Sequence, residues 1–308
     1  MDYFSLYKAW RSCRRRKRAT SQAQLYEAYL LDNLIGTVQA LRSGQWRPRR
    51  PVCFMVDKPK AREIHAAHYS DRVVHHWLVP RLEELYEPIF IHDIYSNRKD
   101  KGTHMAVKRL QHFMRSVSRT GGLGDREDTL RHEEETGCRI PQADFLWGTS
   151  GMRSHAAHGN KSSAAGYFLQ LDIKNFFNSV DRRILFSLLQ KRLRKAVNQG
   201  KLDEDTAVSY RDISHIILKQ DVGQEAFMAA TPVELARIPP YKRLVNAGKD
   251  KGLPIGNLTS QFFANVYLNE LDQFIKHVLK CHHYLRYVDD CVPRRHARVR
   301  STQCSYAA

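Results

Sequence analysis

Apolar residues recur at helical spacing through "SQAQLYEAYLLDNLIGTVQALRSG" (21–44) and stop at a glycine, so residues 1–50 are predicted to form helical segments. From Pro51 the pattern turns strand-like in "PVCFMVDKPKAREIHAA". It returns to helix in "YSDRVVHHWLVPRLEELYEPIF", with Ser70 as the expected N-cap. Residues 119–165 are rich in Gly, Ser and charge without a sustained period, which predicts a surface insertion or mobile loop. Its "GGLG" is no phosphate loop, because no strand precedes it and no GK[ST] follows. Alternation resumes at 167–172, where Tyr167, Leu169 and Leu171 face one way and Phe168, Gln170 and Asp172 the other. In "KGLPIGNLTSQFFANVYLNELDQFIKHVL" (251–279) a Gly/Pro-punctuated turn leads into a long helix with Phe263, Tyr267, Leu271 and Phe274 as its predicted apolar stripe. Last comes a strand, "YLRY", and then Asp289–Asp290.

Two strand-like runs therefore end in acids that lie far apart in the chain, at Asp172 and at Asp289–Asp290. A lone acid at a strand end is usually a turn residue or cap. Three carboxylates at one sheet edge would instead make a site for hard divalent cations. Gly256 allows close backbone approach in the turn before the long helix, where the loop could lie under a base pair.

Charge narrows the partners. Fifty Lys and Arg against 32 Asp and Glu give a formal net charge of +18, which favours a polyanion. No run of 18 apolar residues and no signal peptide is present, so nucleic acid is expected rather than membrane, and a cytoplasmic location. The basic run Arg14–Arg18 is either a solvated face or a nucleic-acid contact. The six cysteines form no CxxC pair and read as free thiols. Cys281, His282 and His283 fit no zinc spacing.

Asp172 followed by "FFNSVD", then "GLPIGNLTSQFFANVYLNELD", then "YVDD", in this order, resembles the reverse transcriptases of the right-handed polymerase fold. "KPKAREIHAAHYSDRVVHHWL" (58–78) and "YSNRKDKGTHMAVKRL" (95–110) resemble the first two blocks of that family, so the resemblance covers about 50–292. It implies an α+β fingers-palm fold with an antiparallel palm sheet packed on helices and without a thumb. The expected organisation is a basic helical extension (1–50), fingers carrying the polar insertion (51–165), and a palm (166–292) that includes a fingers-proximal segment (185–252). It also implies that Asp172, Asp289 and Asp290 hold two Mg²⁺ ions, or Mn²⁺ in their place, with the backbone carbonyl of Ile173 as a further oxygen ligand. Lys60 and Arg62 match the basic residues that hold the incoming triphosphate, and Arg98 matches a template or triphosphate contact. Phe177 matches the steric gate against a 2′-hydroxyl, with a core aromatic as the alternative, and Tyr287 matches the aromatic beside the primer terminus.

Where most reverse transcriptases carry QGxxxSP, this chain has Ile255, Gly256, Asn257, Leu258, Thr259, Ser260 and Gln261. That form resembles the enzymes of diversity-generating retroelements, which copy a template-repeat RNA into mutagenised cDNA. The implied partners are that RNA, the cDNA/RNA hybrid, dNTPs and a small basic accessory protein. Ile255 removes an amide that would bond near the nascent pair, and fewer buried polar demands mean weaker rejection of mispairs, notably at template adenines. Reverse transcriptases of the group II intron, retron or phage-defence type are alternatives. So is a non-catalytic RNA-binding polymerase relic. The relic reading draws on the chain's end: after Val292 come Pro293 and "RRHARVRSTQCSYAA", so the second strand of the hairpin is expected to fail and 293–308 to be an aberrant basic tail, as a frameshift would produce.

Overall fold

The computed structural model describes residues 2–15, 17–58, 60–119 and 167–295 and is an α+β protein. The expected insertion, apart from Arg119, and the tail from residue 296 lie outside the described residues. In chain order the elements are α1 (Tyr3–Cys13), α2 (Ser21–Ala28), α3 (Leu30–Arg42), β1 (Val52–Val56), β2 (Arg62–Ala66), α4 (Tyr69–Tyr86) and α5 (Thr103–Arg119). Then follow β3 (Tyr167–Phe168), β4 (Leu171–Asp172), α6 (Phe176–Ser179), α7 (Arg182–Asn198), α8 (Glu204–Lys219), α9 (Val222–Glu225) and β5 (Phe227–Met228). The last are α10 (Pro232–Ala236), α11 (Leu258–Gln273), β6 (His283–Tyr287) and β7 (Asp290–Arg295). Two compact units result: 1–92 with 173–278, and 93–172 with 279–308.

In the first unit, α4 is the central helix and packs against α1, α7, α8 and α11. Val73, Val74, Leu78 and Leu82 are fully or almost fully buried along it. Trp77 meets Tyr210 edge-on at 5.6 Å, and Tyr86 meets Phe262 at 5.5 Å. Short polar side chains start several helices by taking the orphan backbone N–H groups. Asp181 accepts from the N–H groups of Arg183 and Ile184, Asp203 from Thr206, and Thr231 with Glu234 closes a capping box. The cap of α4 differs from expectation. It is His68, whose ring nitrogen accepts the N–H of Ser70, so Ser70 lies inside the helix. The 21–44 pattern is also interrupted at Tyr29, where the Asn33 side chain donates to the Tyr26 carbonyl and competes with the helix ladder.

The predicted stripe on α11 is buried only at Phe263: Tyr267 and Leu271 are half-buried and Phe274, just past the helix end, is exposed, while Phe262, Val266 and Leu268 are buried on other faces. The helix is enclosed on most sides. A small sheet, ordered β2-β1-β5, completes this unit, with β1 antiparallel to β2 and parallel to β5.

The second unit is built on β7, which pairs with β6 on one edge and with β3 and β4 on the other. The expected failure of this strand at Pro293 is corrected: β7 runs through Pro293 to Arg295. Phe168 lies opposite Arg294 and Leu171 opposite Cys291, so β3 and β4 are halves of one strand in a single register. The interruption between them falls opposite Pro293. There Leu169 donates its N–H to the Pro293 carbonyl at 3.1 Å, and the reciprocal bond is missing because proline has no N–H. The ladder gives up one bond and continues. Helix α5 packs on β6, with Ala106 and Phe113 against Leu285 in a buried cluster that Tyr95 joins.

His75, inside α4, is 5% exposed and its Nδ1 has no hydrogen-bond partner. Burial pushes its imidazole down to about 3, so the folded chain keeps it neutral where the unfolded chain takes up a proton. The resulting stability is present above the unfolded value of 6.5 and is lost as pH falls from there. Urea unfolding of wild type and His75→Gln at pH 7.5 and 5.5 checks this. Wild type should lose about 1.4 kcal/mol relative to the variant on going to the lower pH. The comparison cancels opposing groups such as Asp71, which burial raises to about 6.

Candidate active site

The acids of the second unit meet at one end of its sheet. Asp290, the first residue of β7, lies opposite Asp172 of β4 on one side and opposite Tyr287 of β6 on the other. Residues directly opposite in an antiparallel pair share a face, so Asp172, Asp290 and Tyr287 form one cross-strand row. Asp289 occupies the second position of the two-residue loop joining β6 to β7. Asp172 is exposed, and Asp289 and Asp290 are half-buried. Among the described residues, the grouping of three His, Cys, Asp or Glu donor atoms all within 4.8 Å of one another is Cys53, Glu63 and His65. The three aspartates share a row and a loop without closing to that distance. Two carboxylates directly opposite each other destabilise a strand pair.

The loop itself is held under strain. Two-residue hairpin loops call for positive φ and usually use Asn or Gly, yet Val288 takes a φ of 55°. A β-branched residue there costs on the order of 1–3 kcal/mol. Bonds on both sides of Val288 stabilise it: its N–H donates to Ser96 Oγ at 2.9 Å, and its carbonyl accepts from Arg286 Nη1 at 2.8 Å. Arg286 is 0% exposed, an arginine in the centre of an apolar strand. Its backbone is bonded to Asp93 and Tyr95, and Asp93 is in turn paired with Arg109 at 2.8 Å. The sequence reading missed Arg286 and Ser96, although a charged residue inside "YLRY" was the available signal. Tyr287 keeps its hydroxyl outward enough to accept from Thr103 at 3.0 Å. Arg98 is half-buried with Nη1 directed at the Ile94 carbonyl, 3.4 Å away.

The other expected site residues lie in the first unit. Lys60 is half-buried in the β1–β2 connection, and Arg62 is exposed at the start of β2 opposite Val56. The Ile173 carbonyl, expected as a metal ligand, accepts the Phe176 N–H at 3.2 Å, which uses one of its two lone pairs. Of the adjacent aromatics, Phe176 is the core residue. Phe177 is half-buried and its carbonyl accepts the Leu253 N–H at 2.7 Å, which ties α6 to the segment before Ile255.

The Ile255–Gln261 segment is fixed to β2. The Ile255 carbonyl accepts the His65 N–H at 2.9 Å, and its side chain is half-buried. Gly256 has a φ of 115°, and a Cβ there would meet Ile64 Cγ2 at 2.6 Å, so the close approach this glycine permits is to β2. Asn257, also missed from sequence, is buried and bonds at both ends: its Nδ2 donates to the His65 carbonyl and its Oδ1 accepts the Ala67 N–H. It extends the β2 ladder through a side chain. Ser260 is buried and lines a cavity of about 290 Å³ with His75, Arg182 and Phe263, whereas Gln261 is exposed.

No family model and no curated protein matches this chain. Among the described residues no helix is long and apolar enough to cross a membrane.

Replacing Arg286 by Leu should leave the Val288 carbonyl without its buried donor and cost about 3 kcal/mol, read from urea unfolding. Hydrogen exchange should show faster exchange at Tyr287 and Val288 than at the amides of α5 in the same unit. Uniform acceleration would mean that Arg286 supports the whole unit rather than the loop.

Proposed function

We propose that this chain is an RNA-directed DNA polymerase of the diversity-generating retroelement type, with the fingers-palm arrangement of right-handed polymerases. The observation that carries the reading is the cross-strand row of Asp172 and Asp290 with Asp289 in the adjoining loop. A like-charged pair directly opposite is a cost to the sheet, and a cation turns that cost into binding energy. The donor set is all carboxylate oxygen, which suits hard Mg²⁺ or Mn²⁺ and not a soft metal. Asp172, Asp289 and Asp290 would hold such ions. When bound, the ions supply positive charge to the attacking and leaving oxygens of an in-line phosphoryl displacement.

The remaining roles fall to the chain's own groups. Lys60 and Arg62 would neutralise the triphosphate of the incoming dNTP, with the planar guanidinium suited to two phosphate oxygens. Phe177 would stack on the deoxyribose and leave no room for a 2′-hydroxyl, and Tyr287 would orient the primer terminus. Ile255 would face the nascent pair with little hydrogen-bonding demand. The net charge of +18 supports a template-primer partner.

Primer extension on an RNA template tests the reading. Template-directed DNA synthesis should require Mg²⁺ or Mn²⁺, and Asp172→Asn should lower it by about 10³-fold or more, several kcal/mol of barrier. RNA binding with a steep salt dependence and no metal-dependent synthesis would instead identify a non-catalytic binding protein. A second assay addresses fidelity. Ile255→Gln should reduce misincorporation opposite template adenine by about tenfold, the worth of one hydrogen bond of about 1.4 kcal/mol. An unchanged error spectrum would remove the retroelement subtype while leaving the polymerase reading intact.

A further inference from the structure

We propose that Cys53, Glu63 and His65 form a zinc site inside the β1–β2 hairpin, separate from the aspartate row and independent of the polymerase reading. Cys53 lies directly opposite His65, and Glu63, two residues before His65, shares their face of the hairpin. All three side chains are buried, at 0%, 6% and 2% exposure for Cys53, Glu63 and His65. Their donor atoms converge: His65 Nε2 is 3.3 Å from Glu63 Oε1 and 3.8 Å from Cys53 Sγ, and all three lie within 4.8 Å of one another. Zinc bonds of about 2.0–2.1 Å to nitrogen and oxygen and about 2.3 Å to sulfur, at tetrahedral angles, set ligand edges of roughly 3.3–3.6 Å. The two edges that meet at His65 Nε2, 3.3 and 3.8 Å, are already near those of one face of that tetrahedron, and the fourth position would go to water.

Charge and chemistry agree with zinc rather than magnesium. A thiolate and a carboxylate together balance a divalent ion, and sulfur with imidazole selects a borderline-soft metal. Glu63 also accepts the Leu244 N–H and has Arg243 Nε 3.7 Å from its other oxygen. An ion here would tie the two strands of the hairpin that carries Lys60 and Arg62, while Glu63 itself keeps the hairpin against the Arg243–Leu244 segment. Binding moves the imidazole proton to Nδ1, which is buried and has no hydrogen-bond partner. An unbraced ligand of this kind costs about 10–100-fold in affinity, so the site should fill in zinc-supplemented culture and empty readily to chelators.

The test is metal content of the full chain purified from zinc-supplemented culture and dialysed against excess Mg²⁺, together with the visible spectrum after cobalt substitution. One zinc per chain is expected, with tetrahedral cobalt bands and a sulfur-to-cobalt charge-transfer band. Cys53→Ser should remove the sulfur band, His65→Gln should reduce zinc to background, and Cys281→Ser should change neither. The wild-type cobalt spectrum stands even if the core variants fold poorly. Absence of stoichiometric zinc, a six-coordinate cobalt spectrum without a sulfur band, or zinc retained in the Cys53→Ser, His65→Gln double variant would overturn the proposal and leave a hydrogen-bonded core cluster.

Discussion

The register of β7 is the constraint on which the acidic end of the second unit depends. Side chains alternate across a strand, so a slip of one residue would turn Asp290 to the opposite face from Asp172 and break the row. That register is fixed from both edges, by the two-residue loop to β6 and by the split strand β3–β4. The loop is short enough to force a left-handed backbone on Val288, and buried Arg286 together with Ser96 makes that conformation tolerable. Strain at the tip, a buried cation beneath it and a like-charged pair across it are each unfavourable alone. All three meet at one sheet end, and that coincidence is what motivates the binding role proposed for it.

How much of this was legible in the sequence follows from how local each feature is. The acids at Asp172 and Asp289–Asp290, the strand before them and the long helix after Asn257 were all readable, because alternation, helical period and turn residues are written in neighbouring positions. The continuation of β7 was not. Pro293 argues against a central strand when read alone, and only the partner chain segment at Leu169 reveals that the missing N–H falls where the neighbouring strand is interrupted. The cap of α4 was misread for a similar reason. Ser70 is the usual capping residue type, but a histidine ring nitrogen two positions earlier does the work.

Other features that sequence reasoning missed are polar contacts across long stretches of chain. Asn257 stands 192 positions from His65, whose carbonyl it bonds, and nothing in "IGNLTSQ" distinguishes a clamp from a contact to a base pair. Glu63 and His65 were passed over within a basic block whose interest lay in Lys60 and Arg62. Strand alternation places Arg62 outward and Glu63 inward, so a fold that presents the cation must bury the adjacent acid and satisfy it. In this hairpin, surface charge and buried donor cluster are two consequences of one register.

The central claim is that Asp172, Asp289 and Asp290 act together as a hard-cation site. Iron-mediated backbone cleavage measures this without reference to activity: Fe²⁺ replaces Mg²⁺, and locally generated radicals cut the chain beside its ligands. Two cut clusters are expected, one next to Asp172 and one across Val288–Asp290, both suppressed by excess Mg²⁺. Cleavage at only one of these segments, or cuts at both that Mg²⁺ leaves unchanged, would contradict the claim.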